Sequence, residues 1–191
     1  MPVRTTYLAF LRAVNVGSRT IAMDRLRAAG EAMGFGDVRT VLTSGNLVLT
    51  DEEPDPDRVA RRLEAGCRDR LGLATEVMVR DVTTLESVID RNPFPEFAQQ
   101  DPSHLLVVLL QEPPRPDAAA AFADGLPGPE EGRVVGAHAF VTYPAGIGRS
   151  RLTLPRIEAA LGTRGTGRNW NTVRRVAALG RAPVGPPRRG G

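Results

Sequence analysis

The chain predicts an α+β fold built from two ferredoxin-like halves of βαββαβ type, with antiparallel sheets. Three observations predict it. Short apolar runs suited to strands alternate with stretches whose apolar residues recur at spacings of three and four. Ser44-Gly45 and Gly136 each separate a pair of such runs at hairpin distance. The order strand, helix, strand, strand, helix then occurs twice, on either side of Asn92-Pro93-Phe94-Pro95, where two prolines break regular structure.

The first element is the apolar strand Tyr7–Leu11. A helix follows with Met23, Leu26, Gly30 and Met33 on one face, and Gly34 suits its stop. Val38–Thr43 and Asn46–Thr50 are β-rich runs joined by a tight Ser44-Gly45 turn. The acidic segment Asp51–Pro56 leads into a helix that ends near Leu71-Gly72, and Thr75–Arg80 alternates as a strand. A short helix spans Leu85–Ile89 before the break. The pattern restarts with the six-residue run Leu105–Leu110, typical of a central strand, and the short helix Pro116–Ala123. Arg133–Val135 and Ala137–Tyr143 form a second hairpin. Leu154, Ile157 and Leu161 mark a helix, and Trp170, Val173 and Ala177 a last one ending at Gly180. The halves are placed at 1–97 and 98–181, the second read as βαββα, with the Pro-, Gly- and Arg-dense tail 182–191 as disordered.

The usual strand order 4-1-3-2 makes strands one and two of the first half run the same way. The loop after strand one then lies beside the Ser44-Gly45 turn, which brings Arg12, Asn15 and Gly17 near Ser44 and Asn46.

Composition narrows the function classes. At 191 residues the chain is long enough to bury a proper core, and 41% hydrophobic content is ordinary for a globular protein. No apolar run approaches the roughly 18–20 residues that span a bilayer. Residues 1–11 lack a cleavage-site pattern and read as a strand, not a signal peptide. The single cysteine, Cys67, excludes an internal disulfide and fits a reducing, cytoplasmic setting; its helical spacing with Val59, Leu63 and Leu71 makes it a core thiol. All 25 basic side chains are arginine, so lysine Schiff-base chemistry and a Walker lysine are excluded. From Ala145 onward ten arginines face one acid, Glu158, a local charge of +9, which leaves −6 for the first 144 residues of a chain whose total is +3. An anionic partner, or contact of the basic end with the acidic remainder, would each account for that asymmetry.

Five stretches carry a family resemblance. They are Leu11-Arg12-Ala13-Val14-Asn15-Val16-Gly17, Thr43-Ser44-Gly45-Asn46, Asn92-Pro93-Phe94, Tyr143 through Thr153, and Arg168-Asn169-Trp170-Asn171-Thr172-Val173. In order and spacing the chain resembles the bacterial family called Domain of Unknown Function sixteen-ninety-seven, over nearly its full length apart from the tail. Ala13 stands where that family usually has Gly, Thr43 where it often has Gln, and Arg151 where Lys is common. The Ala13 departure argues against an unusual backbone conformation at that position. The resemblance implies a fold and a cytoplasmic setting, and no activity.

The chemistry of these stretches favours binding an anion. Arg12, Asn15, Ser44 and Asn46 supply donors and neutral amides beside Gly17. Arg149, Ser150, Arg151 and Thr153 do so on a loop where Gly146 and Gly148 let backbone N–H groups turn to a ligand. Arg168, Asn169 and Asn171 open the last helix, whose unpaired amides attract anions. Arginine adds planar two-point recognition of phosphate or carboxylate. The competing reading is structural: turn geometry for Asn and Gly, capping by Ser44 or Asn169, a core role for Trp170, and a hinge with a core-anchoring ring at Asn92-Pro93-Phe94.

Catalysis has no comparable support. None of the five stretches contains Asp or Glu, so no carboxylate pair is expected at the site. His104 and His138 each adjoin an apolar strand without metal-ligand spacing, and both read as structural. No catalytic residue, metal or cofactor is assigned, and the reading leans against an enzyme, with Tyr143 the one group suited to act as an acid. The leading expectation is a small anionic, phosphate-bearing ligand. Sequence-independent nucleic-acid binding by the basic end and a protein-interaction module are the alternatives; no membrane partner is expected, and the oligomeric state is left open.

Overall fold

The computed structural model describes residues 4–14, 20–126 and 128–183. Asn15, Gly17 and the tail from residue 184 lie outside the described residues. The elements are β1 (Thr5–Leu11), α1 (Met23–Ala32), β2 (Gly36–Val41), β3 (Asn46–Asp51), α2 (Pro56–Leu71), β4 (Val77–Asp81) and α3 (Val82–Asp90). They continue as α4 (Pro95–Gln100), β5 (Leu105–Leu110), α5 (Pro116–Asp124), β6 (Gly132–Val135) and β7 (His138–Thr142). A 3-10 turn (Ile147–Arg149), α6 (Leu154–Leu161), β8 (Gly165–Asn169) and α7 (Trp170–Arg181) complete them.

The strands form two four-stranded antiparallel sheets, β2-β3-β1-β4 and β6-β7-β5-β8. Each is the 4-1-3-2 order of a ferredoxin-like unit. Two compact units result. One holds the described residues up to Leu85 together with those from Arg175; the other is Glu86–Arg174. The division thus falls earlier than residue 97, and α7 is split between the units.

Strand β8 completes the second unit, which the sequence reading left one strand short. Gly165-Thr166-Gly167-Arg168-Asn169 has no apolar alternation because the neighbouring strand fills the space. A Cβ at Gly165 would lie 2.8 Å from the Leu109 carbonyl oxygen and 2.8 Å from Val108 Cγ1. The β2–β3 connection differs as well. Strand β2 stops at Val41, and Leu42–Gly45 form a four-residue loop with Leu42 at φ 59° and Gly45 at φ 73°, in place of a two-residue turn. Gly136 does serve the second hairpin, at φ 59°.

In the first unit Tyr7, Ala9 and Leu11 of β1 pack with Leu26, Val59, Leu63 and Cys67 from α1 and α2. In the second, Val108 and Leu110 of β5 pack with Phe122, Ile157 and Leu161 from α5 and α6. Each of the Val, Leu, Ile and Phe side chains among them contributes about 1.5–3 kcal/mol on leaving water. Cys67 is fully buried, and burial pushes its thiol up to about 11, as expected of a core residue rather than a nucleophile.

The halves match residue for residue in their connecting devices. Leu8 faces Arg80 across β1 and β4, and Val107 faces Arg168 across β5 and β8. Each arginine turns Nη1 back to the preceding carbonyl: Arg80 to Val79 at 2.8 Å and Arg168 to Gly167 at 2.9 Å. The next residue caps a helix in both. Asp81 Oδ1 accepts the Thr84 N–H, and Asn169 Oδ1 accepts the Thr172 N–H. Glu64 of α2 accepts the Val77 N–H, and Glu158 of α6 accepts the Gly165 N–H. An Arg-Asx-x-x-Thr repeat is therefore visible at residues 80–84 and 168–172.

Candidate functional site

Of the first group of predicted residues, Arg12, Ser44 and Asn46 lie within the described residues and are occupied internally. Leu11 donates its N–H to the Gly45 carbonyl at 2.9 Å, so the loop after β1 and the β2–β3 connection do lie together. Arg12 pairs with Glu76 at 3.6 Å, and its carbonyl accepts the Thr75 hydroxyl at 2.7 Å. Asn46 is fully buried and donates to the Val41 carbonyl and to Ser44 Oγ, which ties the loop shut. These are structural bonds. Ala13 has φ 55°, the left-handed region that glycine enters freely, so the position does require the conformation that its side chain seemed to argue against.

Two residues of the second group are likewise structural. Arg168 is 8% exposed and donates to Thr166 Oγ1 at 2.8 Å as well as to Gly167. Burial pulls its guanidinium down to about 10, so it stays charged at neutral pH. Asn169 spends its side chain on the cap. Asn171 and Thr153 are exposed, and Trp170 is a core residue whose ring meets Phe140 at 6.5 Å between centroids.

What remains is the loop from Tyr143 to Thr153. Tyr143 is buried and its phenol donates to the Leu152 carbonyl at 2.9 Å, so one side chain joins the two ends of the loop. Burial first and the Glu130 carboxylate second push that phenol up to about 12, which removes it as an acid near neutral pH. Inside the loop, Gly146 (φ 89°) gives its N–H to the Tyr143 carbonyl, and Ser150 Oγ accepts the Leu152 N–H at 2.9 Å. The Gly146 amide is therefore consumed by the turn rather than offered to a ligand. Arg149 and Arg151 are exposed, and their side chains have no hydrogen-bond or ion-pair partner among the described residues.

This loop walls an open hollow of about 660 Å³ lined by Asp101, Ser103, His104 and the segment Pro144–Arg149. Arg151 is not part of the lining. Three lining side chains, Asp101, Ser103 and His104, were not expected at the site. His104, read as structural, has a side chain 41% exposed, and its Nδ1 stands 2.6 Å from Asp101 Oδ2. Ser103 Oγ donates to the other carboxylate oxygen at 2.7 Å. The bonds from His104 and then Ser103 hold the Asp101 carboxyl below its usual range. The hollow thus contains a carboxylate that the acid-free stretches did not foreshadow. The Asp-x-Ser-His run at 101–104 was the available signal, and it lies outside every stretch that carried the resemblance.

Pro93 and Phe94 border a second hollow, of about 400 Å³, with Glu96, Phe97 and Glu131. Asn92 Oδ1 accepts the Phe94 N–H, and Pro95 starts α4, so the motif turns the chain into a helix. The Phe94 ring lies half-buried at that wall, 6.0 Å from the Arg133 guanidinium, rather than in the core.

Tyr7 and Phe10 of β1 and Phe140 of β7 are buried, and β3 and β5 have no aromatic residue, so no inner strand offers an exposed stacking platform for RNA. Among the described residues no helix is long and apolar enough to cross a membrane, and no cluster of His, Cys, Asp and Glu is suited to a metal.

Residues 4–140 match the model of a protein family described as protein of unknown function, DUF1697. The chain belongs to this family. The Tyr143–Thr153 loop falls beyond the matched residues. Among solved structures, the fold is similar to that of the conserved bacterial protein SP0830 from Streptococcus pneumoniae, with a TM-score of 0.72 and 16% identity over 94% of this chain and 100% of that one. At that identity the likeness speaks for the fold alone. No curated protein matches the sequence.

Proposed function

We propose that this DUF1697 protein binds a small, phosphate-bearing or otherwise oxyanionic ligand in the hollow of its second unit, with Arg149 as the receiving group, and that it works in the cytoplasm. The observation that carries the reading is an arginine without a partner on the wall of a hollow, in a chain whose buried arginines are bonded internally. A guanidinium fork meets two oxygens of one anion at once. The loop that presents Arg149 is fixed at both ends by Tyr143. Arg12, Ser44, Asn46, Arg168 and Asn169 support the fold and leave the ligand to this loop.

Thermal shift and titration calorimetry with sulfate, nucleotides and sugar phosphates test the reading. Stabilisation at roughly millimolar ligand, lost in Arg149→Ala and kept in Arg151→Ala, is the expected result. The absence of stabilisation by every anion overturns it. Binding of a mixed oligonucleotide that falls steeply with salt and ignores Arg149→Ala would put the nucleic-acid reading in its place.

A further inference from the structure

The charged and titratable side chains that line the hollow are Arg149, Asp101 and His104. One fixed cation and one carboxylate offset each other, so with neutral imidazole the lining has no net charge. Protonation of His104 makes it positive while Asp101 stays ionised.

The geometry decides how that proton is presented. Nδ1 of His104 lies 2.6 Å from Asp101 Oδ2, a carboxylate that can only accept while ionised, so Nδ1 holds the hydrogen. Ser103 occupies the other carboxylate oxygen. Nε2 is left on the opposite side of the ring, turned to Gly146, where a Cβ would lie 3.6 Å away. The backbone on both sides is tied: the His104 N–H donates to the Asp101 carbonyl at 3.2 Å, and its carbonyl accepts the Tyr143 N–H at 2.9 Å. A neutral Nε2 turns a lone pair to an incoming oxyanion, and a protonated Nε2 turns a donor to it.

We propose that His104 is the second ligand-binding group of the hollow, so that an oxyanion carrying two charges and no proton is taken up together with a hydrogen ion, bridging Nε2–H of His104 and the Arg149 guanidinium. The proposal rests on the anion reading above. It adds the ligand class and a built-in preference for mildly acidic conditions. Asp101 is a positioning residue: it fixes which nitrogen faces the ligand.

The test uses the full chain with sulfate, whose charge stays constant across the range. Calorimetry at about pH 5.5 and about pH 8, on either side of the ordinary imidazole range, should show binding about tenfold tighter at the acid end. In buffers of different ionisation heat, binding at neutral pH should show net proton uptake. His104→Asn should bind weakly and equally at both pH values, and Asp101→Asn should flatten the pH dependence while retaining the Arg149 requirement. Equal wild-type affinity at both pH values without proton uptake, with binding still lost in Arg149→Ala, overturns this proposal and leaves the anion site standing. Absence of sulfate binding at either pH overturns both. The wild-type measurement decides the matter even if a variant fails to fold.

Discussion

The same end of the sheet looks different in the two halves. In the first unit, where Thr5 faces Asp51, each arginine described there has a carboxylate: Arg4 with Glu52, Arg62 with Asp51, and Arg58 with Glu53 and Asp55. In the second unit the corresponding pair of positions is His104 and Tyr143, and the loop beyond them leaves Arg149 and Arg151 unpaired. Exposed ion pairs stabilise a fold by only about 0–1 kcal/mol. The difference therefore concerns availability more than stability. At this end the first unit pairs Arg4, Arg58 and Arg62 with carboxylates, and the second holds Arg149 out beside a hollow.

The largest expected effect comes from making the second half carry the first half's side chain. Val77 begins β4 and Gly165 begins β8 at equivalent places. Gly165→Val should cost about 3 kcal/mol in urea unfolding, because the new atoms meet the Leu109 carbonyl and Val108. An unchanged midpoint would mean that β8 does not sit tightly on β5. Next is Tyr143→Phe, which strands the Leu152 carbonyl and should cost about 1–2 kcal/mol. Its pH dependence sharpens the assignment. The folded phenol is pushed up to about 12, above the ordinary tyrosine value near 10, so the unfolded chain loses the proton first as pH rises. The part of the stability that Tyr143 contributes is lost through that interval in wild type only, and the gap between the two proteins should narrow above about pH 10.

Smaller effects test the shared devices. Asp81→Ala and Asn169→Ala should each cost about 1 kcal/mol, and similar losses would bear out equivalent caps in the two units. The smallest effect has the opposite sign. Ala13→Gly should stabilise by about 0.5–1 kcal/mol, since φ 55° strains alanine by more than glycine's extra freedom costs the folded chain. A loss of stability there would show that the Ala13 methyl makes contacts worth more than the strain.

Much of the architecture was legible because apolar periodicity and turn residues report local structure directly. Both hairpins, the central strands and the split-βαβ order follow from them. Strand β8 was hidden for a packing reason: its glycines make room for side chains on β5, so its own residues carry no hydrophobic signal. The candidate site was legible in part. The 143–153 loop stood out by its glycines and arginines, but residue types alone do not tell a bonded arginine from an unbonded one. Arg168 and Arg149 read alike in the sequence, yet one lies in the protein's interior and the other in solvent. His104 was read as structural, and its pairing with Asp101 escaped notice because it is a matter of one tight turn before β5, too short to register as a motif.

Tyr143 has a consequence for how a ligand would be greeted. A single phenol closes the ring of residues from 143 to 152, so the hollow's rim is assembled during folding, with the rest of the core. A guest arriving there orders little backbone and forfeits little of its binding energy to entropy, and the heat of capture should vary only weakly with temperature. The rim behaves as a finished socket and not as a drawstring.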